Sequence, residues 1–290
     1  MAKNKTNKKR QKEGRRVRSL SPMSYVSPYI MKTRGDASNY IQDTMPTAAA
    51  DDYIFKKRRE GLKGFGMLHL FIASYVRTVS QYPGVNRFIR GQKIYSRNCI
   101  EIMITIKREM KLNCPDTVLK LYFPPDATAE EVYHIIDNTV KESRAEESNF
   151  DGLAKLLHFI PGLLLKFVVW LLNLFDYFGW LPRKLTKLSP FHASMAITNM
   201  ASLGIPPIYH HLYNFGNIPV FCAFGAKYTV NELSEDGTIV PVKYLDYKFV
   251  TDERICDGHY YANVLKYVRS VLTHPEQLDS RPDKVINDVP

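Results

Sequence analysis

The sequence predicts an α/β fold, in which helices pack on a sheet. Apolar and polar residues alternate strictly from Ile100 to Lys107, whereas Leu68, Phe71, Ile72, Tyr75, Val76 and Val79 recur at helical spacing. Strand-like and helix-like stretches then take turns along the chain, the arrangement that layers helices on a sheet. With 290 residues, 45% of them apolar, the chain can bury a substantial core without needing a second domain.

The elements follow in order. Residues 19–60 carry Pro22, Pro28 and Pro46 with little periodicity, which predicts an extended leader with a short helix around Ile30 to Tyr40. The helix over Leu68–Val79 stops at Pro83-Gly84 and should lay one face on a sheet. A strand begins near Ile94 and places Ile100, Ile102, Ile104 and Ile106 on one buried face. Thr117–Phe123 is a second strand, and Thr128–Arg144 a helix with Glu130 and Glu131 in its first turn, where the dipole favours acids.

Residues 153–182 interrupt this pattern with an apolar helical insertion. The run resembles a membrane span, but Pro161-Gly162 breaks its start, Lys166 and Asp176 sit inside it, and it falls short of the ~20 apolar residues a span needs. A buried or lid-like helical pair is expected, with peripheral, in-plane membrane contact through 153–181 as the alternative. Strands follow at Ala193–Asn199, Ile218–Val230 and Thr238–Thr251, the last two joined by the Asp236-Gly237 turn. A final helix through Tyr261, Val264, Leu265, Val268 and Leu272 ends at Pro275.

The formal charge of +11 is gathered at the start, where nine Lys and Arg residues up to Arg18 face only Glu13. Such an arm cannot bury enough apolar surface to offset its ordering entropy, so residues 1–18 are expected to be a solvated, disordered basic tail. It lacks the aromatic interleaving of a nucleic-acid grip, and no specific nucleic-acid partner is assigned. The body then spans 19–278, followed by a polar tail over 279–290. Cys99, Cys114, Cys222 and Cys256 form no C-x-x-C pair and read as reduced core thiols. With no secretory leader at the start, a cytoplasmic protein is expected.

Met195–Leu278 carries the functional signal. Ala196-Ile197-Thr198-Asn199-Met200 leads into a loop through Gly204 and Pro206. An apolar strand, Phe221–Gly225, follows, then Asp236-Gly237, then Asp252-Glu253-Arg254-Ile255-Cys256-Asp257-Gly258 opening the last helix. In order and spacing this resembles the end of the 2-oxo acid dehydrogenase acyltransferase catalytic domain, which shares its fold with chloramphenicol acetyltransferase. Tyr82–Phe88, where a helix ends before Pro83 and a strand follows, resembles an upstream segment of the same family. A stand-alone member without a lipoyl domain is expected.

The resemblance implies a chloramphenicol-acetyltransferase-like fold, a two-layer sandwich with a mixed sheet flanked by helices, together with a homotrimer with sites between subunits, coenzyme A or acyl-CoA as substrate, no metal, and an acyl-carrier or dehydrogenase partner. It places the catalytic base at Glu253, where the family has histidine, a structural aspartate at Asp257, and an oxyanion-supporting hydroxyl at Thr198. Glutamate ordinarily titrates ~2 units below histidine, a deficit of ~3 kcal/mol in proton-transfer driving force, so burial would have to raise it for Glu253 to serve. The alternative is a non-catalytic trimeric binding or assembly module on the same fold. His192, His210, His211 and His259 are further candidates for substrate contact. Adjacent histidines diverge on a regular backbone, which argues against a metal at His210 and His211.

Overall fold

The computed structural model describes residues 13–107, 116–145 and 160–290. Lys3 to Lys12, Cys114 and the start of the insertion lie outside these residues. Among the described residues, strands β2 (Ser38–Pro46), β5 (Ile100–Lys107), β6 (Asp116–Phe123), β7 (Met195–Asn199), β8 (Val220–Leu233) and β9 (Ile239–Asp252) form one sheet in the order β2-β9-β8-β7-β5-β6. It is mixed, because β7 runs parallel to both β5 and β8 while the other neighbours are antiparallel. A smaller antiparallel sheet joins β1 (Gly14–Arg16), β4 (Lys93–Arg97) and β3 (Arg87–Arg90).

Helices cover one face of the large sheet. Among the described residues the helices are α1 (Pro22–Ile30), α2 (Ala48–Arg59), α3 (Met67–Gln81), α4 (Ala129–Ala145), α5 (Gly162–Phe178), α6 (Arg183–Leu188) and α7 (Gly258–Thr273). The expectation for α3 was one buried face, but Leu70 through Ser80 are buried without a break because α3 is packed between α4, α7 and the sheet. Its Phe71 stacks on Phe224 of β8 at 4.8 Å. Burial of each such side chain contributes about 1.5–3 kcal/mol.

The opposite face is covered as well. Met103, Ala196, Phe221 and Val250, from β5, β7, β8 and β9, pack under Leu212 and Ile218 of the loop that follows β7. The alternation on β5 therefore separates two interiors, because Ile100, Ile102 and Ile104 face the helices while Glu101 and Met103 are buried on the far side.

Four expectations need correction. The early helix is Pro22–Ile30 rather than 30–40: Pro22 starts it with a preset φ, and the following residues are drawn into β2 by pairing with β9. The basic tail ends sooner than Arg18, because Gly14–Arg16 pairs with β4 and Glu13 is buried. The C-terminal tail is also docked: Asp288 is clamped by Arg87 Nε at 2.9 Å and Nη2 at 2.6 Å, and the Pro290 carbonyl accepts from Arg18 N at 3.0 Å. Finally, α5 is not buried, since none of its residues is.

Candidate functional site

The turn after β9 rests on buried charge. Asp252 accepts from Arg254 Nε at 2.8 Å and Nη2 at 2.7 Å, a bidentate grip, and Arg34 Nε lies 3.9 Å from the same carboxylate. Arg34 also donates to the Tyr213 and Asn214 carbonyls at 2.9 Å each and to that of Gly216, while Arg254 Nη1 donates to the Met31 carbonyl at 3.1 Å. Burial lowers the Arg34 guanidinium to about 10, with Asp252 opposing the shift. Gly216 is required at this junction: its φ is +82°, and a Cβ would run into the Phe191 carbonyl.

With Asp252 and Arg254 both inside, Glu253 points the other way and is exposed. Its backbone N–H donates to the Ala37 carbonyl at 2.9 Å, which fixes the turn without engaging the carboxylate. Asp257 is exposed and accepts from Tyr260 N at 2.8 Å, so it is the N-cap of α7. Cys256 beside it is buried, and burial pushes its thiol up to about 12. His259 is exposed in the first turn of α7, with Nε2 3.2 Å from Asn263 Nδ2.

Thr198 lies elsewhere. It is half-buried on β7, with its hydroxyl directed at Met200 Sδ at 3.7 Å. The registers give its distance from Glu253 in one chain. Thr198 pairs with Ala223 of β8, Thr251 pairs with Val220, and Asp252 N donates to the Pro219 carbonyl, which sets Glu253 level with residue 218. Five rows of ~3.3 Å along two strand spacings of ~4.8 Å put the two residues on the order of 19 Å apart. They stand towards opposite ends of the sheet.

The other histidines diverge. His192 is buried, with Nδ1 2.8 Å from Ser189 Oγ and Nε2 3.2 Å from Asp176 Oδ2, so it packs the end of α5 against the body. His210 stacks on Phe221 at 4.4 Å, and burial, with His211 beside it, lowers its pKa. His211 is exposed against the edge of Tyr213 at 4.7 Å. Among the described residues no group of three or more His, Cys, Asp or Glu is arranged to hold a metal ion.

Sequence reasoning missed a buried ionic cluster beneath α6. Glu13 accepts from Arg97 Nη1 at 2.6 Å and Asn217 Nδ2 at 2.9 Å and pairs with Arg90. Burial alone would raise this carboxyl, but Arg97 and Arg90 overcome it and hold it far below the usual carboxylate range. Glu101 pairs with Arg183 and has Lys120 Nζ 3.8 Å away. Lys120 donates to the Thr186 and His192 carbonyls at 2.7 and 2.6 Å, and burial lowers it to about 8. Above the cluster opens a cavity of about 1050 Å³ that Glu13, Arg90 and Arg183 help to line; Thr198 and Glu253 do not line it.

No family model and no curated protein sequence matches the chain. Solved structures do. A probable dihydrolipoamide acetyltransferase from Listeria monocytogenes 4b F2365 superposes with a TM-score of 0.57, at 12% identity over 91% of this chain and 93% of that one. The chain has the acetyltransferase-core fold. The cubic core of a pyruvate dehydrogenase multienzyme complex aligns with a TM-score of 0.53 at 11% identity over 88% of each chain. A truncated catalytic core of the 2-oxoacid dehydrogenase complex from Thermoplasma acidophilum gives 0.52 at 10% identity, over 89% of this chain and 98% of that one. At such identities the core fold is what is shared, and it agrees with the two-layer α/β expectation.

Proposed function

We propose that the chain is an acyltransferase-like protein that takes an acyl group from coenzyme A or a similar thioester and passes it to a thiol, amine or hydroxyl acceptor. Its sites would lie between the chains of a homotrimer. The separation of Thr198 from Glu253 by on the order of 19 Å carries this reading. Residues so far apart cannot serve one reacting centre within a chain, but they can meet across an interface.

In such a site Glu253 would take the acceptor's proton and the Thr198 hydroxyl would support the oxyanion, with Asp257 holding the turn through its cap on α7. A neighbouring chain would have to cover Glu253, which one chain leaves exposed. An acyl-carrier or dehydrogenase partner and a cytoplasmic setting belong to the same proposal, and the free thiols of Cys99, Cys222 and Cys256 suit a reducing compartment.

A second reading, a non-catalytic trimeric binding or assembly module, draws on that same exposure of Glu253. Acyl-CoA hydrolysis and transfer measured over a pH series, beside Glu253→Gln, separates the two. The enzyme shows turnover that rises with deprotonation of a base and falls about 10²–10⁴-fold in the variant with the oligomer intact. A module shows none in either protein.

A further inference from the structure

Helix α5 presents an apolar surface outward. Leu163 is 87% exposed and Phe167 and Trp170 are each 55% exposed, although no residue of the helix is buried. Among the described residues its polar contacts with the body gather at its C-terminal turn. There Asp176 lies 3.5 Å from Arg90 Nε and 3.2 Å from His192 Nε2, and Tyr177 Oη bonds Gln92 Oε1 at 3.1 Å. Among the described residues nothing covers this outer surface, and packing against them does not explain its composition.

Charge identifies what covers it. From Ile160 to Pro190 the cations are Lys166, Arg183, Lys184 and Lys187, and the sole acid is Asp176, which is turned inward onto Arg90 and His192. The cavity at the end of α5 repeats the pattern. Lys93 and Lys184 line it together with the aromatic rings of Tyr29, Tyr95 and Trp180, while its acid, Glu13, is already paired with Arg90 and Arg97, and Arg183 is already paired with Glu101. The sequence just ahead of Glu13 adds six lysines and arginines and no acid. Apolar side chains beside unopposed cations, with aromatic residues between them, match the acyl chains, anionic phosphates and boundary of a lipid leaflet.

We propose that α5 and α6 form a membrane-docking surface specific for anionic lipid, with α5 lying in the plane of the interface and a lipid phosphate entering the cavity beside Lys93 and Lys184. Among the described residues no helix is long and apolar enough to cross a membrane. At ~1.5 Å per residue α5 reaches only about 25 Å, against a hydrocarbon core of ~30 Å. The docking is independent of acyl transfer.

The two tryptophans of the chain, Trp170 and Trp180, both lie in this surface, so their emission reports on it directly. The full chain is mixed with vesicles of phosphatidylcholine alone or of phosphatidylcholine with about a third phosphatidylglycerol, and sedimentation and emission wavelength are read together. The expected result is binding to the anionic vesicles with a blue shift and little binding to phosphatidylcholine. The Leu163→Ser/Phe167→Ser and Lys184→Glu/Lys187→Glu variants, which keep the wild-type melting temperature, lose about tenfold or more of that binding. Equal binding to both vesicles, no binding, or unaltered binding by the variants overturns the proposal. So does a lipid-free oligomer that dissociates when Leu163 and Phe167 are replaced, because a second copy then covers the helix.

Discussion

The turn after β9 and helix α5 both direct chemistry outward, but on opposite foundations. Glu253 stands on a locked base of Asp252, Arg254 and Arg34, whereas among the described residues the charged contacts of α5 gather at Asp176 near one end. The difference teaches where this chain spends its buried polar contacts. The turn is fixed to within a hydrogen bond, as a site needing defined geometry must be, while α5 offers area and charge, which suit a fluid surface.

Breaking the base of the turn should have the largest effect. Asp252→Asn leaves Arg254 and Arg34 buried without their counterion, and denaturant unfolding should show a loss of about 3–5 kcal/mol. The Glu13 cluster comes next, at about 3 kcal/mol for Glu13→Gln in the same assay. It also has a pH signature. Because the folded carboxyl is held far below its ordinary value near 4.5, the unfolded chain takes up the proton first, so the stabilisation is present above that value and is lost as pH falls below it. Unfolding measured from pH 7 to pH 3 should fall less steeply in Glu13→Gln than in the wild type.

His192→Ala should cost about 1–2 kcal/mol and, more tellingly, free α5 from the body, which limited proteolysis would register as faster cleavage near Gly179. The smallest effect belongs to the exposed groups. Glu253→Gln and Phe167→Ser should each leave melting within about 0.5 kcal/mol of wild type, which would confine their importance to what they touch outside the chain.

Periodic features were legible in the sequence. The alternation along Ile100–Lys107 became β5, the helical spacing of Tyr261 to Leu272 became α7, and the Asp236-Gly237 turn joined β8 to β9, with Gly237 at φ +81°. The strand that ends beside Glu253 was legible too, since the expected Thr238–Thr251 matches β9 to within a residue at each end. What stayed hidden depends on contacts between distant residues. Glu13 meets Arg97 and Asn217, Glu101 meets Arg183, and Asp288 meets Arg87, and none of these pairs leaves a local pattern. Strand β2 was hidden for a similar reason, since its half-exposed, polar sequence becomes a strand through pairing with β9. Sequence hydropathy described α5 correctly as apolar, and only the structure shows that this surface faces outward.

The claim that the reacting residues come from different chains is tested most directly by mixing two inactive variants, Thr198→Ala and Glu253→Gln, in one refolded or co-expressed oligomer. If each site takes Thr198 from one chain and Glu253 from its neighbour, half of the chains supply each intact residue, and a random mixture should regain about one quarter of wild-type acyl transfer. A mixed oligomer of normal size that regains nothing, while the wild type turns over, would contradict the account.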